Sequence, residues 1–239
     1  MLRHIGQFRL TTPPVLRRLF RMNAARLERL LAPLSQGPAP LLSIYRKAGS
    51  NLAMYTLTEA GVCVLQELGE AHACSQAGPG PQQAVERSLS MLYYCCMGAE
   101  RFGFLNRGAV RERFGDQLPA SPHALIKTGN YEIIERLYVP SSRMLASDVA
   151  RHVSLDFTQR ALSEPTVRAW IARGRYRIML IADDEARIAE LQGAIERRLL
   201  DASVPVRYAL VQCEGDVEEA VPLEVSEMPT GSREEESDC

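Results

Sequence analysis

The sequence predicts an α/β chain, α+β overall, in two parts: a small unit of helices and a hairpin over residues 1–72, then an α/β domain over 84–213. Three observations lead to this reading. Residues 12–68 follow the order helix, turn, helix, hairpin, helix. The run from Glu70 to Gln83 carries GPGP and has the composition of a linker, 73–83. Late in the chain, two apolar strand candidates flank an amphipathic helix, the pattern of a crossover in a parallel or mixed sheet.

In order, Leu2 to Arg9 has to serve as the first helix of the N-terminal unit and is short for it. Thr12 then offers an N-cap hydroxyl, and Pro13 and Pro14 occupy helical positions whose N–H groups a helix start leaves unpaired anyway. This helix is expected from Thr12 to about Phe20, with Val15, Leu16, Leu19 and Phe20 on its apolar side and Arg17 and Arg18 opposite. Arg21 and Met22 turn the chain. Asn23 is placed to cap the next helix, whose expected buried stripe is Leu27, Leu30, Leu31 and Leu34, with Arg26 and Arg29 facing away. Pro33 should end or kink it near Ala32.

Two short apolar runs, 41–47 and 52–58, are joined by Ala48-Gly49-Ser50-Asn51 and read as a hairpin. Thr58-Glu59-Ala60-Gly61 opens a further helix with Val62, Leu65 and Leu68 on one side. This order is that of a winged helix-turn-helix. Its string YTLTEAG closely resembles the strand-to-helix junction of many bacterial winged-helix regulators.

In the second part, a helix is expected from Ala84 to about Ala99, apolar on most sides, and another over roughly Arg107 to Phe114. Strands are expected over 123–127 and 131–139, split by the turn-forming Thr128-Gly129-Asn130. Helical stretches follow around Ser142 to Val153 and Thr166 to Arg173. The closing unit is a strand over 175–182, a helix from Asp183 through Leu200, and a strand over 204–211.

Charge separates the parts further. Residues 1–58 hold nine Arg or Lys against Glu28 alone, a balance of +8, whereas 214–239 hold ten acidic residues and one Arg, −9. The tail, which lacks periodicity, is expected to be disordered, with the charge to compete against phosphates for the basic segment. A basic unit on a neutral body is the electrostatic footprint of a nucleic-acid binder. The candidate contacts to double-stranded DNA are Thr12, Arg17, Arg18, Arg21, Asn23, Arg26, Arg29, Arg46 and Lys47. No apolar run approaches the length of a membrane span and the N-terminus has no signal-peptide core, so a cytoplasmic location and no membrane partner are expected. The six cysteines form no C-x-x-C pair and the four histidines are scattered, so neither metal nor cofactor is expected.

In its winged-helix stretches (QFRLTT, RLERL, YTLTEAG), PHALIK and RYRIMLIADDEARIAELQGAIERR, the chain resembles the replication-relaxation family of bacterial plasmids and integrative elements. The resemblance implies a winged helix ahead of an α/β domain related to the restriction-endonuclease-like fold. It also implies a role in transcription, plasmid replication or conjugation. Nucleases of that fold hold Mg²⁺ with an Asp after a hairpin proline and a Glu-x-Lys on the next strand. Here Pro122 is followed by His123, and Glu135 is followed by Arg136 and Leu137. A degenerate, non-catalytic domain is therefore expected, supplying dimerisation or contact with another protein. The alternatives are a nuclease with a displaced site using Asp183, Asp184 or Glu135, and an adaptor that does not touch DNA.

Overall fold

The computed structural model describes residues 1–46, 52–70, 78–198 and 205–213, with side chains left aside at 157–163. Lys47, the turn 48–51, the first part of the linker and the acidic tail lie outside the described residues.

The N-terminal unit runs α1 (Leu2–Phe8), β1 (Leu10–Thr11), α2 (Pro13–Phe20), α3 (Ala24–Ser35), β2 (Leu42–Arg46), β3 (Ala53–Leu57) and α4 (Glu59–Glu67). Strands β2 and β3 pair antiparallel, Leu42 opposite Leu57, as the hairpin reading requires. The third strand, β1, lies on the other side of β3, and sequence reasoning had no element there. Two residues are too few for any alternation to register.

Caps set the helix boundaries. Asn23 Oδ1 accepts from Arg26 N (2.9 Å) and starts α3; Thr58 Oγ1 accepts from Gly61 N (3.1 Å) and starts α4. Thr12 stands at the N-cap of α2, but its hydroxyl makes no cap bond and lies 3.4 Å from the Tyr93 hydroxyl. Pro33 does not stop α3, which continues to Ser35. The Ser35 hydroxyl donates to Leu31 O (2.9 Å), adding a side-chain bond to the last turn.

The second part contains α5 (Gln82–Met97), β4 (Gly103–Leu105), α6 (Arg107–Phe114), β5 (His123–Thr128), β6 (Tyr131–Tyr138), α7 (Ala146–Ser163), α8 (Pro165–Ala172), β7 (Tyr176–Ala182), α9 (Glu185–Arg198) and β8 (Val206–Leu210). Gly103 to Leu105, for which the sequence analysis has no element, is an edge strand. The five strands form one mixed sheet in the order β4-β5-β6-β7-β8. Pairing is antiparallel from β4 to β6 and parallel from β6 to β8, which includes the expected crossover through α9.

Helices cover both faces of this sheet. Ala124, Leu137, Met179, Ile181 and Ala209 point toward α5, while Ile178, Leu180 and Tyr208 meet α7 and α9, and Leu125, Ile134 and Tyr176 meet α6 and α8. Helix α5 is apolar on most sides because both sides are used. Its Leu89, Leu92, Tyr93 and Tyr94 pack between the sheet and Phe8, Leu10, Val15 and Met54 of the N-terminal unit.

Each part has apolar clusters of its own, and a further one is shared between them. The N-terminal unit does have an internal cluster of Ile5, Leu16, Leu27, Leu31, Leu42, Leu57 and Leu65. The largest cluster, however, is shared across the boundary. Among the described residues no helix is long and apolar enough to cross a membrane.

Candidate nucleic-acid interface

Helix α3 is held by Leu27 and Leu31, both buried in the N-terminal cluster. Its other side carries Arg26 and Arg29, both exposed. Leu30, expected in the buried stripe, is 41% exposed and lies on that outer side instead. Four residues span a little more than one helical turn, so Arg26 and Leu30 neighbour each other. The exposed residues of α3 thus include two guanidinium groups, the carboxylate of Glu28 and a leucine. Arg29 Nε donates to Ala25 O (3.3 Å), which lays its stem along the helix.

Asn23 is exposed at the start of α3, with Oδ1 committed to the cap. Arg21 ends α2 in the left-handed region (φ 50°), its N–H bonded to Arg17 O. Left-handed geometry costs a non-glycine residue about 1 kcal/mol, so the tight turn between the helices carries a small strain. That turn leaves Arg21 exposed beside Asn23, while Arg17 is half-buried. Arg46 is exposed at the end of β2, next to the hairpin turn. Among the described residues no ion pair within 4.0 Å engages Arg17, Arg21, Arg26 or Arg46.

Two sequence candidates do not belong to this surface. Thr12 is fully buried under α5, so a partner in solvent cannot reach it. Arg18 donates through Nη2 to the carbonyl of Gly98, the residue that ends α5, and thus ties α2 to the second part. Its charge is spent on a backbone acceptor inside the molecule. Lys47 lies outside the described residues.

The second part was also a candidate for metal chemistry, and its geometry decides the matter for Glu135. Glu135 is fully buried on β6; Arg177 of β7 pairs with its Oε1, and the Tyr94 hydroxyl donates to its Oε2 at 2.5 Å. Burial and the adjacent carboxylate push the Tyr94 hydroxyl far above its ordinary range, so it stays a donor. Both carboxylate oxygens are thus occupied within the protein.

His123 is opposite Arg136, whereas Glu135 is opposite Ala124. Opposed residues share a face and their neighbours in sequence take the other, so His123 and Glu135 point to opposite sides of the sheet. An acidic residue at 123 would not converge with Glu135. Of the displaced-site candidates, Asp184 accepts at Oδ1 from Ala186 N (3.0 Å) and caps the start of α9. Among the described residues, no three His, Cys, Asp or Glu side chains gather as a metal-binding group.

Cys95 and Cys96 are buried in α5; burial raises both thiols, Cys96 to about 12, which removes thiolate character. His152 Nδ1 donates to Asp148 O (2.8 Å) within its own helix.

Sequence reasoning missed one feature outright, an open cleft of about 480 Å³ where the tip of the β5-β6 hairpin meets the α8-β7 turn. Lys127, Tyr131, Trp170 and Arg175 line it. Only the pairing of distant elements brings these residues together. No protein-family model, curated protein or solved structure matches the chain.

Proposed function

We propose that the N-terminal unit is a winged helix-turn-helix that binds double-stranded DNA, with α3 entering the major groove and the β2-β3 hairpin following the adjacent backbone. The observation that carries this reading is the outer face of α3. There Arg26 and Arg29 stand exposed on a helix fixed by buried Leu27 and Leu31; Arg21 and Arg46 are exposed as well and Arg17 is half-buried. Arginine at such a surface neutralises phosphates and can read guanine edges.

The role that fits is that of a cytoplasmic, non-enzymatic DNA-binding protein acting in transcription, or in the replication or conjugation of a mobile element. This agrees with the resemblance carried by its winged-helix stretches. The α/β part is read as a degenerate relative of the restriction-endonuclease-like fold that serves dimerisation or protein contact. Its one strand carboxylate in the expected position, Glu135, is already paired with Arg177 and Tyr94.

Fluorescence anisotropy with a labelled mixed-sequence duplex tests the reading. If five arginines reach phosphates, raising salt from 50 to 200 mM weakens binding by roughly 10²–10³. The Arg26→Ala, Arg29→Ala double variant should bind more weakly and flatten the salt slope by about two contacts. Absence of binding at low salt, or a double variant equal to the parent, would overturn the assignment.

A further inference from the structure

The cleft at the far end of the sheet combines flat rings with cations. It opens at the end of the sheet: Lys127 of β5 stands opposite Glu132 of β6 on the side covered by α6 and α8, while Tyr131, paired with Thr128 at the hairpin tip, and Arg175 close its rim. Lys127 is exposed, and Tyr131 is 42% exposed. The guanidinium of Arg175 sits 5.4 Å from the Tyr131 ring centroid, and Trp170 meets Phe114 edge-on at 5.8 Å.

These groups are held in place. Arg175 N donates to Trp170 O (2.7 Å), and Arg175 O accepts from Ile134 N (2.8 Å), so the α8-β7 turn is fastened to the edge of β6. Gly174 makes that turn at φ 65°. Glu132, the one carboxylate lining the cleft, is bonded by Arg113 at 2.6 Å. Its charge is thereby offset, leaving Lys127 and Arg175 as the surplus.

From this arrangement we propose that the cleft binds a nucleotide of single-stranded DNA, the base stacking on the Tyr131, Arg175 and Trp170 planes and its phosphate meeting Lys127 and Arg175. Aromatic planes beside a basic track are how proteins hold single strands, because every base offers a ring face once it leaves the duplex. A duplex keeps those faces stacked inside. A free nucleotide would be expected in a pocket that encloses most of its surface. Here the rim residues Lys127, Gly129, Asn130 and Tyr131 are all exposed, and the open form suits one unit of a passing strand. This site is separate from α3 and does not rest on the duplex-binding reading.

Trp170 is the only tryptophan in the chain, so the cleft carries its own reporter. Tryptophan fluorescence of the full chain would be titrated with oligo(dT) of about a dozen nucleotides and, in a parallel arm, with dTMP. The expected result is saturable quenching by the oligonucleotide, with affinity roughly 5- to 100-fold weaker in the Lys127→Ala, Tyr131→Ala double variant. Arg143→Ala, which removes an exposed charge outside the cleft, should bind like the parent. Four outcomes would overturn the proposal: no quenching, equal quenching in the Lys127→Ala, Tyr131→Ala variant, dTMP binding as tightly as the strand, or a loss seen only when Arg26 and Arg29 are removed. Because duplex binding is read by anisotropy with the α3 variants, failure of either site leaves the other measurable.

Discussion

The imidazole of His4 lies buried on α1, with Nε2 3.2 Å from the Thr11 hydroxyl and its ring 5.0 Å from that of Phe8. Burial first, then the charges of Arg101 and of the amino terminus, lowers its pKa from 6.5 to about 4. A folded-state value below the unfolded one means that the unfolded chain takes up the proton first. The stabilisation is complete above pH 6.5 and is lost as pH falls toward 4. The loss is at most ~3 kcal/mol for this group. Urea unfolding of the parent and of His4→Gln at pH 7, 5.5 and 4 should show the difference between them shrinking through that window; a gap that does not vary with pH would refute it. At this scale a sequence shows residue type but not use. Arg18 and Arg26 are equivalent in the string, yet one is bonded to Gly98 O and the other is exposed. Thr12 was rightly placed at a helix start, but nothing local revealed that Tyr93, eighty-one residues on, closes over it.

Among the elements, α4 shows a constraint that its motif only hinted at. Gly61 of YTLTEAG lies where a Cβ would sit 2.2 Å from Leu41 O and 3.2 Å from Leu57 Cδ2. Leu41 O is a fixed acceptor, since Thr58 N donates to it at 3.0 Å. Gly61→Ala gains about 1 kcal/mol in helix propensity, but it forces α4 away from the hairpin at a cost of roughly 1–3 kcal/mol or more. We expect a lower melting temperature and weaker duplex binding, both read on the same variant; a higher melting temperature would show that the contact relaxes freely. The helices were legible because caps and apolar periodicity are local signals, as with Asn23 and Thr58. The misplacements came where a stripe ran past its cover. Leu30 and Leu68 fit their stripes by spacing but no neighbouring element reaches them, and both are exposed. Strands β1 and β4 were invisible because their two and three residues exist as strands only through pairing with β3 and β5.

For the whole molecule, the decisive fact is the position of α5 between two layers. Phe8 stacks on Phe104 at 4.1 Å, joining α1 to the edge of the large sheet, and Arg18 bonds the end of α5. The composition break at GPGP marked where one part gives way to the next. It carried no information about which apolar residues face across. Phe8, Leu10, Val15 and Met54 all precede the break and join the shared cluster. A shared core couples the unfolding of the two parts. Thermal unfolding followed by Trp170 fluorescence, which reports the α/β part, should therefore coincide with unfolding followed by far-UV circular dichroism. Separated midpoints would show that the parts melt independently.

The same arrangement bears on how such a protein can evolve. Many regulators exchange sensory and DNA-reading modules by gene fusion at a linker, because each module brings a finished surface. Here residues 1–72, moved to another protein, would arrive with Phe8, Leu10, Val15 and Met54 uncovered. The N-terminal unit is not a portable cassette. It would be inherited together with α5, and a lineage that replaced the α/β body would have to reinvent that helix in the same step.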